Sequence, residues 1–189
     1  MGLSRFAHFE DAARRHDLLL AQNKSGVIFA LDPDRNGAVV WKSDIPEKKG
    51  TRNTNLVWGG SADQQNLYVG LVTGAITAVQ IATGEKLWTT RLAPSGSRVS
   101  YAAASSAMPG AVFIGGTGGQ VHALASADAR ELWSFDTTRD FTTVNRVAAH
   151  GGSIGSIGPT IAGGMVFIGS GYSATSGIPG NVLLAFAPQ

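Results

Sequence analysis

One pattern occurs four times along the chain. Each copy starts at a glycine or an asparagine, runs as a short apolar segment to an alanine four residues later, and continues toward a tryptophan. The copies start at Gly26, Gly74, Gly119 and Asn181, and the first three starts lie 48 and 45 residues apart. The complete copies end at Trp41, Trp88 and Trp133, whereas the fourth reaches Gln189 without a tryptophan. A fixed period of this length indicates small structural units that pack on their neighbours.

Short strands and tight turns fill each repeat. Apolar segments such as 66–70 and 74–81 alternate with turns rich in Gly, Asn and Asp, such as 32–37. No segment beyond residue 16 has the spacing of an amphipathic helix. A period in the forties built from about four strands is typical of a β-propeller blade. The sequence therefore predicts an all-β partial β-propeller over residues 17–189, with about four antiparallel four-stranded blades of which the last is incomplete. For residues 1–16 it predicts an N-terminal segment that is helical or disordered.

The repeated tryptophans are predicted to be structural. The distance from the alanine to the tryptophan is 11, 10 and 10 residues in the three complete copies. A small alanine leaves room beneath a neighbouring blade, and an indole can then cover the seam and donate its N–H to a carbonyl. We therefore interpret Trp41, Trp88 and Trp133 as residues that hold blades together and do not bind a ligand.

Composition excludes several classes of function. The chain has no cysteine, which excludes disulfides, thiolate metal sites and covalent haem attachment. The net charge is +2 and the charges are scattered, so we expect no nucleic-acid binding. The basic cluster Arg14-Arg15-His16 is interpreted as a solvated chain end. No apolar run is long enough for a membrane span, and the N-terminus does not have the pattern of a signal peptide.

Three further stretches narrow the interpretation. They are 18–26 with 30–34, 58–63 with 66–69, and 151–154 with 170–172 and 179–186. Together with the motif Ala78-x4-Thr83-Gly84-x3-Trp88, they resemble the tryptophan-docking repeats of pyrroloquinoline quinone (PQQ) enzymes. Those enzymes are eight-bladed propellers with the quinone on the axis. The stretches are similar to the C-terminal half of the polyvinyl-alcohol dehydrogenase-like branch, and the resemblance covers about residues 16–189.

The resemblance implies a set of cofactor-binding residues. Lys24 matches the basic residue that hydrogen-bonds the quinone oxygens, where a cation stabilises negative charge on the quinone as it accepts a hydride. Trp58 could stack on the planar quinone, although a tryptophan buried in a seam is the alternative. Arg146, next to Asn145, could hold a cofactor carboxylate, although a salt bridge between loops is the alternative. An ordinary exposed lysine in a turn is the alternative for Lys24.

The chain departs from the family pattern in other places. The catalytic aspartate of the family precedes the Lys-Ser-Gly turn, but the stretch 1–13 does not match, and Glu10 and Asp11 are not assigned that role. The catalytic residues are therefore unknown. PQQ and Ca²⁺ are the implied cofactors, but no calcium ligands are identifiable, and the four histidines have no metal-binding spacing. We predict no protein metal site and no haem.

Two classes of function follow from these patterns. The first is part of a PQQ-dependent alcohol dehydrogenase that oxidises a small or polymeric alcohol by hydride transfer to the quinone. The second is a non-catalytic propeller that binds proteins, or a truncated fragment without activity. An open arc exposes two apolar blade faces, so a homodimer or another partner could complete the ring. The resemblance implies a periplasmic or secreted location.

Overall fold

The computed structural model describes residues 5–10, 15–45, 58–94, 96–172 and 177–188, with only the backbone described at 5–10 and 15–16. Blade 1 consists of β1 (Arg5–Glu10), β2 (Arg15–Gln22), β3 (Val27–Asp32) and β4 (Ala38–Asp44). Blade 2 consists of β5 (Ser61–Ala62), β6 (Asn66–Gly70), β7 (Ala75–Gln80) and β8 (Lys86–Arg91). Blade 3 consists of β9 (Ser106–Met108), β10 (Ala111–Gly115), β11 (Gln120–Ala125) and β12 (Glu131–Asp136).

Blade 4 has three strands within the described residues. A hairpin of β13 (Asp140–Thr142) and β14 (Ala148–His150) precedes it, and the blade consists of β15 (Thr160–Ala162), β16 (Met165–Ser170) and β17 (Val182–Phe186). Every sheet is an antiparallel meander in which consecutive strands pair. The described part contains one 3-10 turn (Pro33–Arg35) and no helix long and apolar enough to cross a membrane. The all-β prediction is confirmed.

The N-terminal segment differs from the prediction. We expected helix or disorder over residues 1–16, but Arg5–Glu10 forms β1 and β2 already starts at Arg15. β1 pairs antiparallel with β2 from Arg5↔Leu20 to Glu10↔Arg15. The pairing gives hydrogen-bond partners to the backbone groups along an edge of β2 that would otherwise be open. Backbone pairing does not depend on the side chains, so the mixed side-chain pattern of the segment does not prevent it. Residues 1–4 and 11–14 lie outside the described part.

Three apolar seams hold the blades together. The first contains Leu20 and Ile28 of blade 1 against Leu67 and Val79 of blade 2, all of them 0% exposed. The second seam joins blades 2 and 3, and the third joins blades 3 and 4. Successive residues of a strand point to opposite faces, so each middle blade supplies alternate residues to two seams. We call the face toward the next blade in the chain the forward face and the opposite face the backward face.

Two of the tryptophans close these seams as predicted. The Trp41 indole N–H donates to the carbonyl of Ile81 at 2.8 Å, and its ring lies over Gly84, where an added Cβ would come within 2.6 Å of the ring. The Trp88 N–H donates to the carbonyl of Ser126 at 3.1 Å. Each bond joins the last strand of one blade to the turn between the third and fourth strands of the next.

Trp133 lies in a different environment. It packs edge-on against Phe186 at 4.9 Å between ring centroids, and its indole N–H has no hydrogen-bond partner among the described residues. It lines an apolar cleft of about 710 Å³ between blades 3 and 4, together with Phe113 and Val166. The third seam is therefore less closed at its outer end than the first two.

Candidate functional site

The loops at one end of the blades carry all four residues that the resemblance implicates. In an antiparallel meander, successive connections alternate between the two ends of the sheet. The second-to-third-strand turns therefore share an end with the connections from one blade to the next. Lys24 lies in the β2–β3 turn, Trp58 in the connection to blade 2, and Asn145 and Arg146 in the connection to blade 4. We call this the loop end of the molecule.

Hydrogen bonds join these loops across the blades. The backbone N–H of Tyr101, in the connection to blade 3, donates to the carbonyl of Leu71 in the β6–β7 turn at 3.1 Å. The N–H of Ile154, in the connection to blade 4, donates to Gly116 in the β10–β11 turn at 3.0 Å. The connections to blades 3 and 4 are thus each fixed to the turn of the preceding blade.

Lys24 is exposed at the tip of a rigid turn. The side-chain oxygen of Asn23 accepts hydrogen bonds from the N–H groups of Ser25 and Val27, both at 3.1 Å, and from the Ser25 hydroxyl at 2.6 Å. This Asx-turn fixes the backbone on either side of Lys24. Lys24 is exposed and makes no ion pair with any described residue.

Trp58 lies in the connection from blade 1 to blade 2. Its side chain is 43% exposed, and its ring stacks on no other ring in the part of the chain that the structure describes. Gly60, two residues after Trp58, is so close to Gln22 that an added Cβ would lie 2.9 Å from the Gln22 amide nitrogen. Gln22 ends β2, two residues before Lys24, so the connection that carries Trp58 approaches the strand end that leads into the Lys24 turn. The seam alternative for Trp58 does not fit its exposure.

Asn145 and Arg146 form the tip of the β13–β14 hairpin. The Asn145 side-chain oxygen accepts from the Thr143 hydroxyl at 2.7 Å, so this amide shapes the turn. Arg146 has a φ of 61° and is exposed, and its guanidinium makes no ion pair with a described residue. The base of the hairpin is fixed to blade 4, because His150 N–H donates to the Asn181 side chain at 2.9 Å. The structure shows no direct contact among Lys24, Trp58 and this tip.

Buried hydroxyl groups lie beneath the loops between blades 3 and 4. The Thr137 hydroxyl bonds to the Ser170 hydroxyl at 2.7 Å and donates to the Gly119 carbonyl at 2.8 Å. The Gly152 N–H donates to the same Ser170 oxygen at 2.8 Å. These bonds satisfy groups that are almost fully buried, so we interpret the cluster as structural. The buried Ser156 hydroxyl makes no hydrogen bond to a described residue.

The loop end carries side chains that suit a planar anion. An exposed lysine, an exposed indole and an exposed arginine can bind a planar, carboxylate-bearing group by charge-assisted hydrogen bonds and stacking. Within the described ranges, no group of three or more His, Cys, Asp or Glu residues could hold a metal ion. The side chains of Lys24, Trp58 and Arg146 are thus of the chemical types that bind a carboxylate-bearing quinone, but among the described residues no contact joins them into one pocket.

The structure also shows a side-chain relay that the sequence did not indicate, with Tyr101 and His122 buried and Glu131 exposed. The Tyr101 hydroxyl lies 2.8 Å from His122 Nε2, and His122 Nδ1 lies 2.6 Å from a carboxylate oxygen of Glu131. Burial raises the pKa of Tyr101 to about 12, so its hydroxyl stays protonated and is able to donate to Nε2. Hydrogen bonds from His122 and Ser134 lower the pKa of Glu131 below its usual value. The carboxylate is therefore an acceptor, which places a proton on Nδ1.

The relay anchors the connection between blades 2 and 3. Tyr101 is 1% exposed, and its ring packs so closely on Gly116 that an added Cβ there would lie 2.8 Å from the ring. Its backbone carbonyl lies against Gly70 of blade 2. One residue thus joins the turn of blade 2 to the third strand of blade 3, where His122 lies. We therefore interpret the relay as a structural element.

We expect His122→Phe to reduce the free energy of unfolding by about 1–3 kcal/mol, because it leaves the buried Tyr101 hydroxyl without its acceptor. Urea unfolding followed by far-UV circular dichroism measures the loss. His150→Phe is the matched control, since His150 also bonds a carboxylate, Asp140 at 2.8 Å, but is exposed. The control should lose less than about 1 kcal/mol. Equal losses in the two variants would contradict an anchoring role for the relay.

Comparisons with known proteins agree with the propeller architecture. A family model described as outer membrane protein assembly factor BamB matches residues 24–103 and 72–186. A polyvinylalcohol dehydrogenase of Sphingopyxis sp. (strain 113P3) is 33% identical over an alignment 199 residues long, gaps included. The alignment covers 90% of this chain and 30% of the dehydrogenase. The chain thus spans about a third of the length of this curated relative.

Solved structures show the same fold at lower identity. The quinohemoprotein alcohol dehydrogenase of Comamonas testosteroni superposes with a TM-score of 0.65 at 16% identity, over 84% of this chain and 28% of that chain. BamB of Moraxella catarrhalis superposes with a TM-score of 0.61 at 19% identity, over 90% of this chain and 46% of that chain. At these identities the likeness concerns the fold alone.

Proposed function

The chain belongs to the family of PQQ-repeat β-propellers, and on that basis we propose that it forms part of a PQQ-dependent alcohol dehydrogenase. The likeness to a polyvinylalcohol dehydrogenase carries this proposal, because it extends over nine-tenths of the chain at 33% identity. The proposed substrate is a small or polymeric alcohol. The proposed place of action is outside the cytoplasm, in the periplasm or the medium.

Lys24 is the proposed electrostatic contact to the cofactor. When bound, the quinone would supply the acceptor for a hydride from the alcohol. The Lys24 ammonium group would hydrogen-bond the cofactor oxygens, and a fixed cation at that position favours the form that carries more negative charge. The Asx-turn of Asn23 positions the Lys24 backbone before any ligand arrives, so little ordering of the turn is required.

Trp58 and Arg146 have supporting roles in the proposal. The exposed Trp58 ring offers a flat apolar surface for stacking and would exclude water from one side of a planar ligand. Arg146 offers a planar fork that can bind a carboxylate through two hydrogen bonds, and Asn145 shapes the turn that carries it. We assign no catalytic base and no Ca²⁺ ligand to the described residues.

We expect PQQ to quench the tryptophan fluorescence of the purified chain in a saturable way, with Ca²⁺ added in parallel titrations. Lys24→Ala should weaken binding about tenfold or more, because it removes a charge-assisted hydrogen bond. Lys86→Ala is the control, since Lys86 is also an exposed lysine but lies on the last strand of blade 2. Equal affinity of the two variants would contradict the role of Lys24. A folded chain that binds no PQQ would contradict the dehydrogenase proposal.

The second candidate function is a non-catalytic propeller that binds proteins. The match to the family model described as outer membrane protein assembly factor BamB favours it, because that likeness covers most of the chain. This function needs neither the quinone nor a metal ion. The PQQ titration therefore separates the two candidates: saturable, Lys24-dependent binding supports the dehydrogenase, and its absence in a folded protein supports the protein-binding propeller.

A further inference from the structure

The meander separates the charges of the loops. We call the end opposite the loop end the turn end; it carries the turns between the first and second and between the third and fourth strands of a blade. The described loops of the loop end carry four basic residues and no acidic one: Lys24, Arg98, Arg139 and Arg146. The described turns of the turn end carry four acidic and two basic residues: Asp34, Asp63, Glu85 and Asp128, with Arg35 and Arg130. The charges of the loops thus differ in sign between the two ends.

Acidic residues occur at the strand ends beside the basic loops, and each has a described partner. Asp44 pairs with Lys42 at 3.8 Å, and Asp140 pairs with His150 at 2.8 Å. The Asp136 carboxylate accepts two hydrogen bonds from the loop that follows it, at 2.9 and 2.6 Å. The four basic side chains of the loops are exposed and make no ion pair with a described residue. The charge that the described loop end presents to solvent without a counter-ion is therefore positive.

The tip of the β13–β14 hairpin exposes apolar side chains at this end. Val144 is 107% exposed and Val147 is 56% exposed. Arg146 lies between them with a φ of 61°, a left-handed conformation that a residue other than glycine adopts at a cost and that is enriched at functional sites. Because burial of apolar side chains is favourable, a partner that takes these valines out of water is stabilised on the tip.

The hairpin is held in a fixed position on the blades. At the tip, the Arg146 N–H donates to the Thr143 carbonyl at 3.1 Å. At the base, the Arg139 guanidinium lies over the Phe135 ring of blade 3 at 4.2 Å, and the Asn181 N–H of blade 4 donates to the end of β14 at 2.9 Å. A tip that is ordered before it docks loses little conformational entropy on binding.

We propose that the loop end docks on an anionic lipid surface, with the hairpin tip as its point of insertion. Val144 and Val147 enter the boundary between headgroups and acyl chains, and the basic loops face the lipid phosphates. The basic residues are spread from the β2–β3 turn of blade 1 to the connection before blade 4. An extended anionic plane matches this spread better than a compact acidic pocket of a protein does, and an exposed tip enters lipid without a preformed cavity.

Co-sedimentation with lipid vesicles tests the docking on the unmodified chain. The chain should bind vesicles of equal parts phosphatidylglycerol and phosphatidylcholine at least about tenfold more tightly than vesicles of phosphatidylcholine alone, because basic residues near the surface are attracted to anionic headgroups. Added salt should weaken the binding, since it screens exposed charges. No binding to the anionic vesicles, or equal binding to both kinds, would overturn the proposal. Either result would leave both candidate functions untouched, because neither function requires lipid.

Val144→Asp should weaken binding to the anionic vesicles about tenfold or more, because it puts a negative charge where an apolar side chain would leave water. Val39→Asp is the matched control: Val39 is 59% exposed but lies near the start of β4, toward the turn end, so this variant should bind like the unmodified chain. Arg98→Glu and Arg130→Glu form a second pair with the same change in net charge, and only Arg98→Glu, at the loop end, should bind more weakly. Full binding by Val144→Asp, or equal losses within either pair, would overturn the proposal.

An environment-sensitive fluorophore shows which end approaches the lipid. The chain has no cysteine, so the fluorophore can be attached at a single introduced cysteine. Emission from a label on Val144→Cys should shift to shorter wavelength on anionic vesicles, because the tip enters a less polar environment, whereas a label on Val39→Cys should not shift. A shift at Val39→Cys alone would place the turn end on the lipid and overturn the proposal. Binding of the chain to poly-glutamate, with no shift at Val144→Cys on vesicles, would indicate an acidic protein as the partner and would also overturn it.

Discussion

Gly70→Ala is expected to cost more than about 3 kcal/mol of the free energy of unfolding, or to prevent folding. The added methyl group would lie 1.9 Å from the Tyr101 carbonyl oxygen and 2.5 Å from the end of the Ile114 side chain. The first of these neighbours is backbone, and its position is fixed because the Tyr101 N–H donates to Leu71 at 3.1 Å. Relief would require the connection between blades 2 and 3 to move away from blade 2.

Gly169→Ala is the matched control for this substitution. Gly169 lies at the same position of the repeat, and neither glycine has a positive φ. Nothing lies within 4 Å of a Cβ at Gly169, so we expect a change within about 0.5 kcal/mol when unfolding is measured in urea at low protein concentration. A loss at Gly169 as large as that at Gly70 would contradict steric crowding by the next connection as the cause.

The strands and seams were predictable from local sequence. The alternation of apolar residues and the turn glycines place β7 and β11 correctly, because each strand must bury one set of side chains and each hairpin needs its turn. The alanine-to-tryptophan spacing predicted that an indole N–H would find a carbonyl across a seam, and Trp41 and Trp88 do so. These features recur in each complete repeat, so the strand and seam assignments in one repeat support those in the others.

Features that depend on contacts between distant segments were not predictable. β1 forms because β2 has an open edge, which the side-chain pattern of residues 5–10 does not show. Tyr101, His122 and Glu131 are brought together by the approach of a connection to a strand of blade 3, and no spacing in the sequence indicates that relay.

For the candidate site, too, the sequence supplied the candidate residues and only the structure supplied their surroundings. The resemblance supplied Lys24 and Trp58 as candidates, and their common location at the loop end follows from the meander. Their side-chain environment came only from the structure: the Asx-turn beside Lys24 and the exposure of Trp58. A role for either in binding PQQ stays a prediction.

Trp41→Ala is expected to cost about 3–5 kcal/mol of the free energy of unfolding. The substitution removes a large ring from the first seam, leaves a cavity over Gly84, and leaves the Ile81 carbonyl without its 2.8 Å hydrogen bond. Adjacent blades depend on each other for burial, so loss of this seam weakens both blades. Urea unfolding followed by far-UV circular dichroism measures the loss, since the fluorescence of the remaining tryptophans would itself change.

Trp133→Ala is the matched comparison, and it should cost at least about 1 kcal/mol less than Trp41→Ala. Trp133 belongs to the same position of the repeat and packs on Phe186, but its indole N–H bonds no described residue and its ring lines an open cleft.

A double-mutant cycle sharpens the test: Gly84→Ala crowds the Trp41 ring, so it should destabilise the wild type more than the Trp41→Ala variant. Equal costs for Trp41→Ala and Trp133→Ala, or strict additivity with Gly84→Ala, would show that the docking of Trp41 on the next blade does not hold the seam.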